Sequence, residues 1–430
     1  MTHIAVSAGL IAPICLHLES VIVGVVVFDV AAVRAQYPAL GDGRAWLDGA
    51  AGTQVPQLVI DAVAQTYRTG VSNQGAPFEA SSRGTEIVAQ ARRAVADLVG
   101  AADSRGVVFG PTMTALTYRF AAALQATWRE GDEIVVTQLD HDANVRPWVQ
   151  AARRAGVTVR TAAVDSQTAE LPVEGMRALF GERTRLVALT AASNLVGTCP
   201  DVAAITSAAR EVGAISFVDG VHHTPHSHVD LAALGADLYA TSAYKWAGPH
   251  VAAVVAADPE LLHGLHPDRL LPSPDTVPER FELGTNPFAS LAGVVAAVTH
   301  LAGLDAAAEG TRRERLATSR RAAGVHEDAL GNRMLTGLAS IPGVTLYGPR
   351  SQRTPTAYFR MEGSTPADVA EALSARGINC WYGFAYAWEL AEALGLRDSG
   401  GGIRTSVNFY STDREVDRLL NAVTELAAGR

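Results

Sequence analysis

Between residues 106 and 256 short apolar runs alternate with helical patterns, and this alternation limits the fold more than any other feature of the chain. The runs at 106–109, 133–137, 157–161, 185–190, 214–218, 237–240 and 251–256 are short and rich in valine, leucine, isoleucine and alanine. Helical patterns at 112–128, 144–155 and 202–212 lie between them. Strands separated by helices connect as βαβ units, so a mostly parallel sheet covered on both faces is expected. Ligands of such sheets sit beyond the carboxyl ends of the strands. Several polar clusters fall just after a run: Asp140 with His141, Ser193 with Asn194, Asp219, and Ser242 to Lys245. Their agreement argues for one shared site. No G-x-G-x-x-G follows the first run, which counts against a dinucleotide.

A proline-rich stretch at 267–278 ends the pattern, and a helix-rich section follows at about 287–339. The tail from 343 to 430 reads as a smaller α+β domain. The expected division is a large domain over 31–295, its first residues packing on the small one, and a small domain over 296–430. With 48% hydrophobic and 18% charged residues, a chain of 430 residues can bury a large core. Residues 1–30 read as an N-terminal extension outside that core. Their apolar stretch is interrupted by Pro13, His17 and Glu19 and has no basic residues before it, a poor match to a secretory signal or a membrane anchor.

The formal charge of −9 argues against a nucleic-acid backbone as partner. The arginine run at Arg312, Arg313, Arg315, Arg320 and Arg321 reads as a solvated helix face. Cys15, Cys199 and Cys380 show neither metal spacing nor a disulfide framework, which points to a reducing compartment, the cytoplasm.

Among 35 basic residues Lys245 is the one lysine. Arginine stays protonated, whereas lysine can lose its proton and act as a nucleophilic amine, so this survivor is a candidate for Schiff-base chemistry. The rival reading is a chance exposed lysine. Asp219 closes an apolar run. A carboxylate about 4 Å from a ring nitrogen contributes roughly 4 kcal/mol at an effective dielectric of 20, enough to hold that nitrogen protonated. A helix cap or turn aspartate is the alternative. His222, His223, His226 and His228 raise the question of a metal, but the usual cysteine or carboxylate partners are missing, so none is expected and one histidine touching a cofactor is preferred. Thr112, Met113 and Thr114 lie between a strand and a helix, where backbone N–H groups and hydroxyls cradle phosphates.

The chain resembles the class V aminotransferases of fold type I, in the cysteine desulfurase-like branch, from about Trp46 to Leu420. The motifs that carry the resemblance are WLDGAAGT at 46–53, DHDAN at 140–144, SNLVGT at 193–198, DGVH at 219–222, SAYK at 242–245, FELGT at 281–285 and IRTS at 403–406. The resemblance implies a large domain with a mostly parallel seven-stranded sheet, a smaller C-terminal α+β domain, and pyridoxal 5′-phosphate held as a Schiff base on Lys245. It implies Asp219 at the pyridine nitrogen, His141 stacked on the ring, and His222 and Asn194 near the phenolic oxygen. Ser242, Tyr244 and Thr114 would hold the phosphate, Thr285 would reach the phosphate site of a neighbouring subunit in a homodimer, and Arg404 would clamp the carboxylate of a small amino-acid substrate, with Asn194 also on the substrate side.

Cysteine desulfurases carry a mobile nucleophilic cysteine in a loop before the arginine strand. That region here runs INCWYGFAYAW over 378–388, and the nucleophile's place falls at Ala385 or Tyr386. Cys380 comes earlier, at a strand position suited to a buried structural thiol. Trp381, Tyr382, Phe384, Tyr386 and Trp388 either shape the substrate pocket or belong to the small-domain core. The expectation is C–S β-elimination from a cysteine derivative, with Lys245 moving the proton at Cα. Transamination, epimerisation and a true desulfurase using Cys380 are the alternatives.

Overall fold

The computed structural model describes residues 28–429. A two-residue strand, β1 (Ala45–Trp46), precedes the large sheet. That sheet contains β2 (Val107–Gly110), β3 (Glu133–Thr137), β4 (Thr158–Ala162), β5 (Thr184–Thr190), β6 (Ile215–Asp219), β7 (Leu238–Ser242) and β8 (Ala252–Ala256), in the order β2-β8-β7-β6-β5-β3-β4. Later in the chain come β9 (Val344–Tyr347), β10 (Thr356–Met361), β11 (Ile378–Asn379), β12 (Trp381–Gly383) and β13 (Gly402–Ser406). They form an antiparallel sheet, β12-β13-β10-β9, while β11 pairs in parallel with β1.

All seven apolar runs are strands of the large sheet, with ends shifted by no more than two residues. Only β8 runs against its neighbours; the pairs β3–β4, β3–β5, β5–β6 and β6–β7 are parallel. The architecture is the mixed α/β one expected, a large, mostly parallel sheet with a smaller α+β unit.

Both faces of the large sheet are covered because successive side chains of a strand point to opposite sides. Val135, Val187, Val218 and Val255 enter one core, and Ile134, Leu186, Phe217 and Val254 enter the other. Phe217 is fully buried, its ring 5.0 Å from Trp148 and 6.3 Å from Phe120 on covering helices. A third core lies under the small sheet and takes in Leu47, Phe359, Ile403 and Leu419. Leu47 follows β1, so the segment at β1 is stitched into the small unit. No helix among the described residues is long and apolar enough to cross a membrane.

The arginine run departs from expectation. It opens the 29-residue helix Arg312–Ser340, which packs against the helices Phe288–Ala302 and Asp413–Ala428 and against β9. Its solvent face runs through Glu314, Thr318, Arg321, Val325 and Asp328, and Arg320 lies on the packed side with Leu316, Ala323 and Glu327. Arg320 is accordingly buried, with Nη2 3.3 Å from Glu327 Oε2, and Arg313 donates to the carbonyls of Asp97, Leu98 and Val229. Arg321 is the exposed member. Of the N-terminal extension, residues 1–27 (Cys15 included) lie outside the described residues. Phe28 packs against His326 at 5.3 Å, and Asp29 caps the helix Val30–Arg34.

Candidate active site

The carboxyl ends of five strands deliver the polar side chains. β2 leads through Gly110 to Thr112, which caps the helix Met113–Gln125 by accepting from Ala115 N–H at 3.1 Å. β3 leads to Asp140 and His141, β5 to Asn194, β6 ends on Asp219, and β7 runs through Ser242 into a single turn carrying Lys245. Arg404 comes from β13 of the small sheet. Gly220 follows Asp219 because a Cβ there would overlap the Tyr239 ring.

These residues line one cavity of about 670 Å³. Thr112, Met113, Thr114, His141, Asn194, Asp219, His222, Ser242, Tyr244, Lys245 and Arg404 all face it. Thr285 does not; it is exposed on the loop before the helix Phe288–Ala302.

Burial sets the electrostatics. It pushes the Lys245 amine down to about 7, with Arg404 adding to the drop and Asp219 opposing it. Lys245 Nζ donates to the Ala50 carbonyl and sits 5.0 Å above the Tyr244 ring, itself stacked on His250 at 4.8 Å. Asp219 is pushed up to about 6 by burial, against a 2.9 Å bond from Val221 N–H and the attraction of Lys245. That bond is a turn contact, so the rival reading of this aspartate is also present in its geometry. Burial lowers His141 to about 4, so its ring is neutral at physiological pH; Nδ1 accepts from Ala143 N–H at 3.0 Å. Arg404 is buried, its guanidinium lowered to about 10 by burial, and Nη1 donates to the Asn194 carbonyl at 2.8 Å. Among the described residues it makes no ion pair. A buried cation in that state suits an anionic ligand.

Several contributors were not singled out from sequence. Asp48, mostly buried and raised by that burial, interacts electrostatically with both Arg404 and Lys245. Asp140, which the sequence did mark beside His141, is fully buried, accepts from Thr137 Oγ1 and from Asn144 Nδ2, and is raised to about 8 by burial. Tyr118, Arg146 and His250 also line the cavity. Arg146 ties its wall together, bonding Asp142 at 2.9 Å and Glu389 at 2.8 Å. Spacing on one chain gives no signal for pairs this far apart in sequence.

The aromatic segment divides. Trp381 and Tyr386 face the cavity, while Phe384 packs edge-on against Trp388 and Tyr382 is exposed. Ala385 and Tyr386 have φ of +45° and +59°, a left-handed conformation that costs roughly 1–2 kcal/mol per residue. Two hydrogen bonds across the cavity hold it: Asp142 N–H to the Tyr386 carbonyl and Asn194 Nδ2 to the Ala385 carbonyl, each 2.8 Å. The Tyr386 ring stacks on His141 at 5.4 Å.

The four histidines diverge. His222 faces the cavity, His223 bonds the Tyr239 hydroxyl, His226 pairs with Glu327, and His228 is partly exposed. Cys199 and Cys380 are absent from the wall, and burial pushes both thiols up to about 12.

Together the cavity offers a buried amine of low pKa, a buried carboxylate, a buried guanidinium, and a helix N-terminus flanked by hydroxyls. Asn194 Oδ1 and His222 Nδ1 are buried there without hydrogen-bond partners. An aldehyde-bearing, phosphorylated aromatic ring with an ionisable nitrogen fits that donor set, and the orphaned atoms are of the kind a ligand satisfies.

The family model for class V aminotransferases (Aminotransferase class-V) matches residues 45–419. The chain is 36% identical to the uncharacterized protein MT3887 of Mycobacterium tuberculosis, covering 93% of this chain and 99% of that protein. It is 33% identical to a probable cysteine desulfurase of Mycolicibacterium paratuberculosis, covering 94% of this chain and 59% of that longer protein. The solved cysteine desulfurase CsdA of Escherichia coli superposes with a TM-score of 0.82 at 29% identity, covering 94% of this chain and 99% of that one.

Proposed function

The chain belongs to the class V aminotransferase family, in its cysteine desulfurase-like branch, and from that premise we propose that it is a C–S β-lyase acting on a cysteine derivative. It is a pyridoxal 5′-phosphate enzyme, as members of the family are. We assign Lys245 as the cofactor's covalent anchor, Asp219 as partner of its ring nitrogen, and Ser242, Tyr244, Thr112, Met113 and Thr114 as holders of its phosphate. Bound there, the cofactor supplies an electron sink for the pair left at Cα.

The protein's own groups do the rest. Arg404, buried and in no ion pair among the described residues, grips the substrate carboxylate. Lys245, with a pKa of about 7, moves the proton at Cα, where a group near the working pH is most effective. Neutral His141, with the Tyr386 ring stacked on it, forms one wall of the cavity. In the elimination the Cα–H and Cβ–S bonds break, the sulfur leaves with the bonding pair and takes up a proton, and hydrolysis of the remainder gives ammonia and a keto acid.

The observation that carries this reading is the composition of the closing segment. It presents Ala385 and Tyr386 to the cavity, and neither described cysteine reaches the wall. Among the described residues no thiol stands there to receive sulfur, which supports its departure on the small molecule. The relatives named as cysteine desulfurases support the choice of a cysteine-derived substrate. We also propose a homodimer in which exposed Thr285 completes the neighbour's phosphate site, working in the cytoplasm.

Incubation with S-substituted cysteines and a panel of other amino acids should give thiol and pyruvate in equal amounts from the former. A keto acid formed only with an amino acceptor, a racemised substrate, or sulfur retained on the protein would each contradict the lyase reading. Native-state alkylation at pH 8 makes a separate check. Thiols of pKa about 12 are thiolate in only about one part in ten thousand there, so Cys199 and Cys380 should label roughly a thousandfold more slowly than free cysteine. Cys380→Ser should leave turnover within about twofold, since surface and structural thiols contribute little to chemistry; protein-bound persulfide lost in that variant would restore the desulfurase alternative.

A further inference from the structure

His222 is 2% exposed and lines the cavity, yet its Nδ1 has no hydrogen-bond partner. Its other nitrogen, Nε2, lies 3.0 Å from both Thr354 Oγ1 and Thr356 Oγ1. Those hydroxyls belong to a relay in which every proton is committed. Ser406 Oγ has one proton and donates it to the Val407 carbonyl at 3.3 Å, so in its 3.1 Å contact with Thr356 it accepts. Thr356 uses its proton there, and Thr354 must then be the donor in the 3.2 Å contact between the two threonines. Neither threonine has a proton left for His222. Each offers it a lone pair, so Nε2–H donates to both in a bifurcated bond.

Burial holds the His222 ring far below the usual histidine pKa, with His226, Lys245 and Arg404 adding to the effect. The ring therefore carries one proton, the one on Nε2, and Nδ1 is a bare acceptor. His226 packs edge-on against it at 5.2 Å and is itself anchored by Glu327, which fixes the ring's position. Asn194 behaves alike. Its Nδ2 donates to the Ala385 carbonyl, which only the amide nitrogen can do, and this leaves Oδ1 buried and unpaired in the same cavity. Two buried acceptors with no donor between them are costly until a ligand supplies one.

We propose that this wall selects a donor: the ring hydroxyl of the bound cofactor would keep its proton and donate a hydrogen bond to His222 Nδ1, with Asn194 Oδ1 as second acceptor. Thr354, Thr356 and Ser406 are positioning residues that act through His222 by fixing its tautomer. The identity of the ligand rests on the function proposed above; the tautomer does not.

The test uses the holoenzyme carrying 15N-labelled histidine. Long-range proton–nitrogen correlation should find His222, assigned through its loss in His222→Gln, protonated at Nε2 and accepting at Nδ1. With the ring hydroxyl protonated, the cofactor's near-ultraviolet band should dominate at neutral pH. His222→Gln places an amide donor in reach and should shift absorbance into the visible, changing the band ratio by about fivefold or more, as exchange of one hydrogen-bond partner implies. Thr356→Val frees the Thr354 proton for Nε2 and should move both readouts the same way, while Thr356→Ser restores them. A proton on Nδ1, or a band ratio indifferent to His222→Gln, overturns the proposal. Failure of the purified protein to take up pyridoxal phosphate would instead sink the functional reading, and the tautomer would still be decided by the nitrogen signals.

Discussion

Lys245→Ala is expected to lower turnover by at least about ten-thousand-fold and to remove the absorbance bands of the lysine-bound cofactor together with it. The chain has no second lysine to take over, and arginine cannot lose its proton to attack a carbonyl. With the amine at about 7, roughly half of it is uncharged at neutral pH, against less than about one part in a thousand for a lysine of ordinary pKa. Capture of the cofactor by the cofactor-free protein should accordingly speed up as pH rises through about 7 and then level off. The sign for stability is the same. The unfolded chain binds the proton between about 7 and the ordinary lysine value while the folded one does not, so this group's contribution rises with pH across that window. Lys245→Arg keeps the charge and should lose as much activity as the alanine variant. Turnover within tenfold of the parent in either variant would contradict the assignment.

Asp219→Asn should follow with a loss of about a thousandfold. The carboxylate is fully buried at the end of β6 and makes one hydrogen bond, from Val221 N–H. Desolvation at this depth is costly and is offset only when a positive partner arrives. An ion pair about 4 Å long at an effective dielectric of 20 contributes roughly 4 kcal/mol, or about three decades of rate when the charge is needed in the transition state. Asparagine is close in shape, so folding and cofactor capture should survive while kcat falls. Loss of the folded state in Asp219→Asn would assign the residue to the turn at Val221 instead.

The large sheet was legible because a strand buried on both faces must be apolar throughout, and such runs stand out between helices. Its strand ends also marked the site, since polar residues immediately after an apolar run have few other reasons to be there. Asp219, Lys245, His141 and Asn194 were nominated on that ground, and the structure places them on one cavity wall. What escaped notice depends on contacts between distant segments. Nothing in the sequence near Arg146 points to Glu389, and nothing near Asp48 points to Arg404. The relay through Thr354, Thr356 and Ser406 is equally hidden, as is the left-handed turn at Ala385 and Tyr386, because neither residue type advertises positive φ. The arginine run misled for a physical reason: helical spacing reports which residues share a face but not whether that face meets water, and Arg320 found Glu327 instead.

Every proposed step depends on a covalent bond between the cofactor's carbonyl carbon and the Lys245 amine. Borohydride reduction of the purified, cofactor-supplied protein followed by peptide mapping tests it directly. A single pyridoxyl-modified peptide is expected, carrying the group on Lys245. No modified peptide, or modification confined to another site, would contradict it.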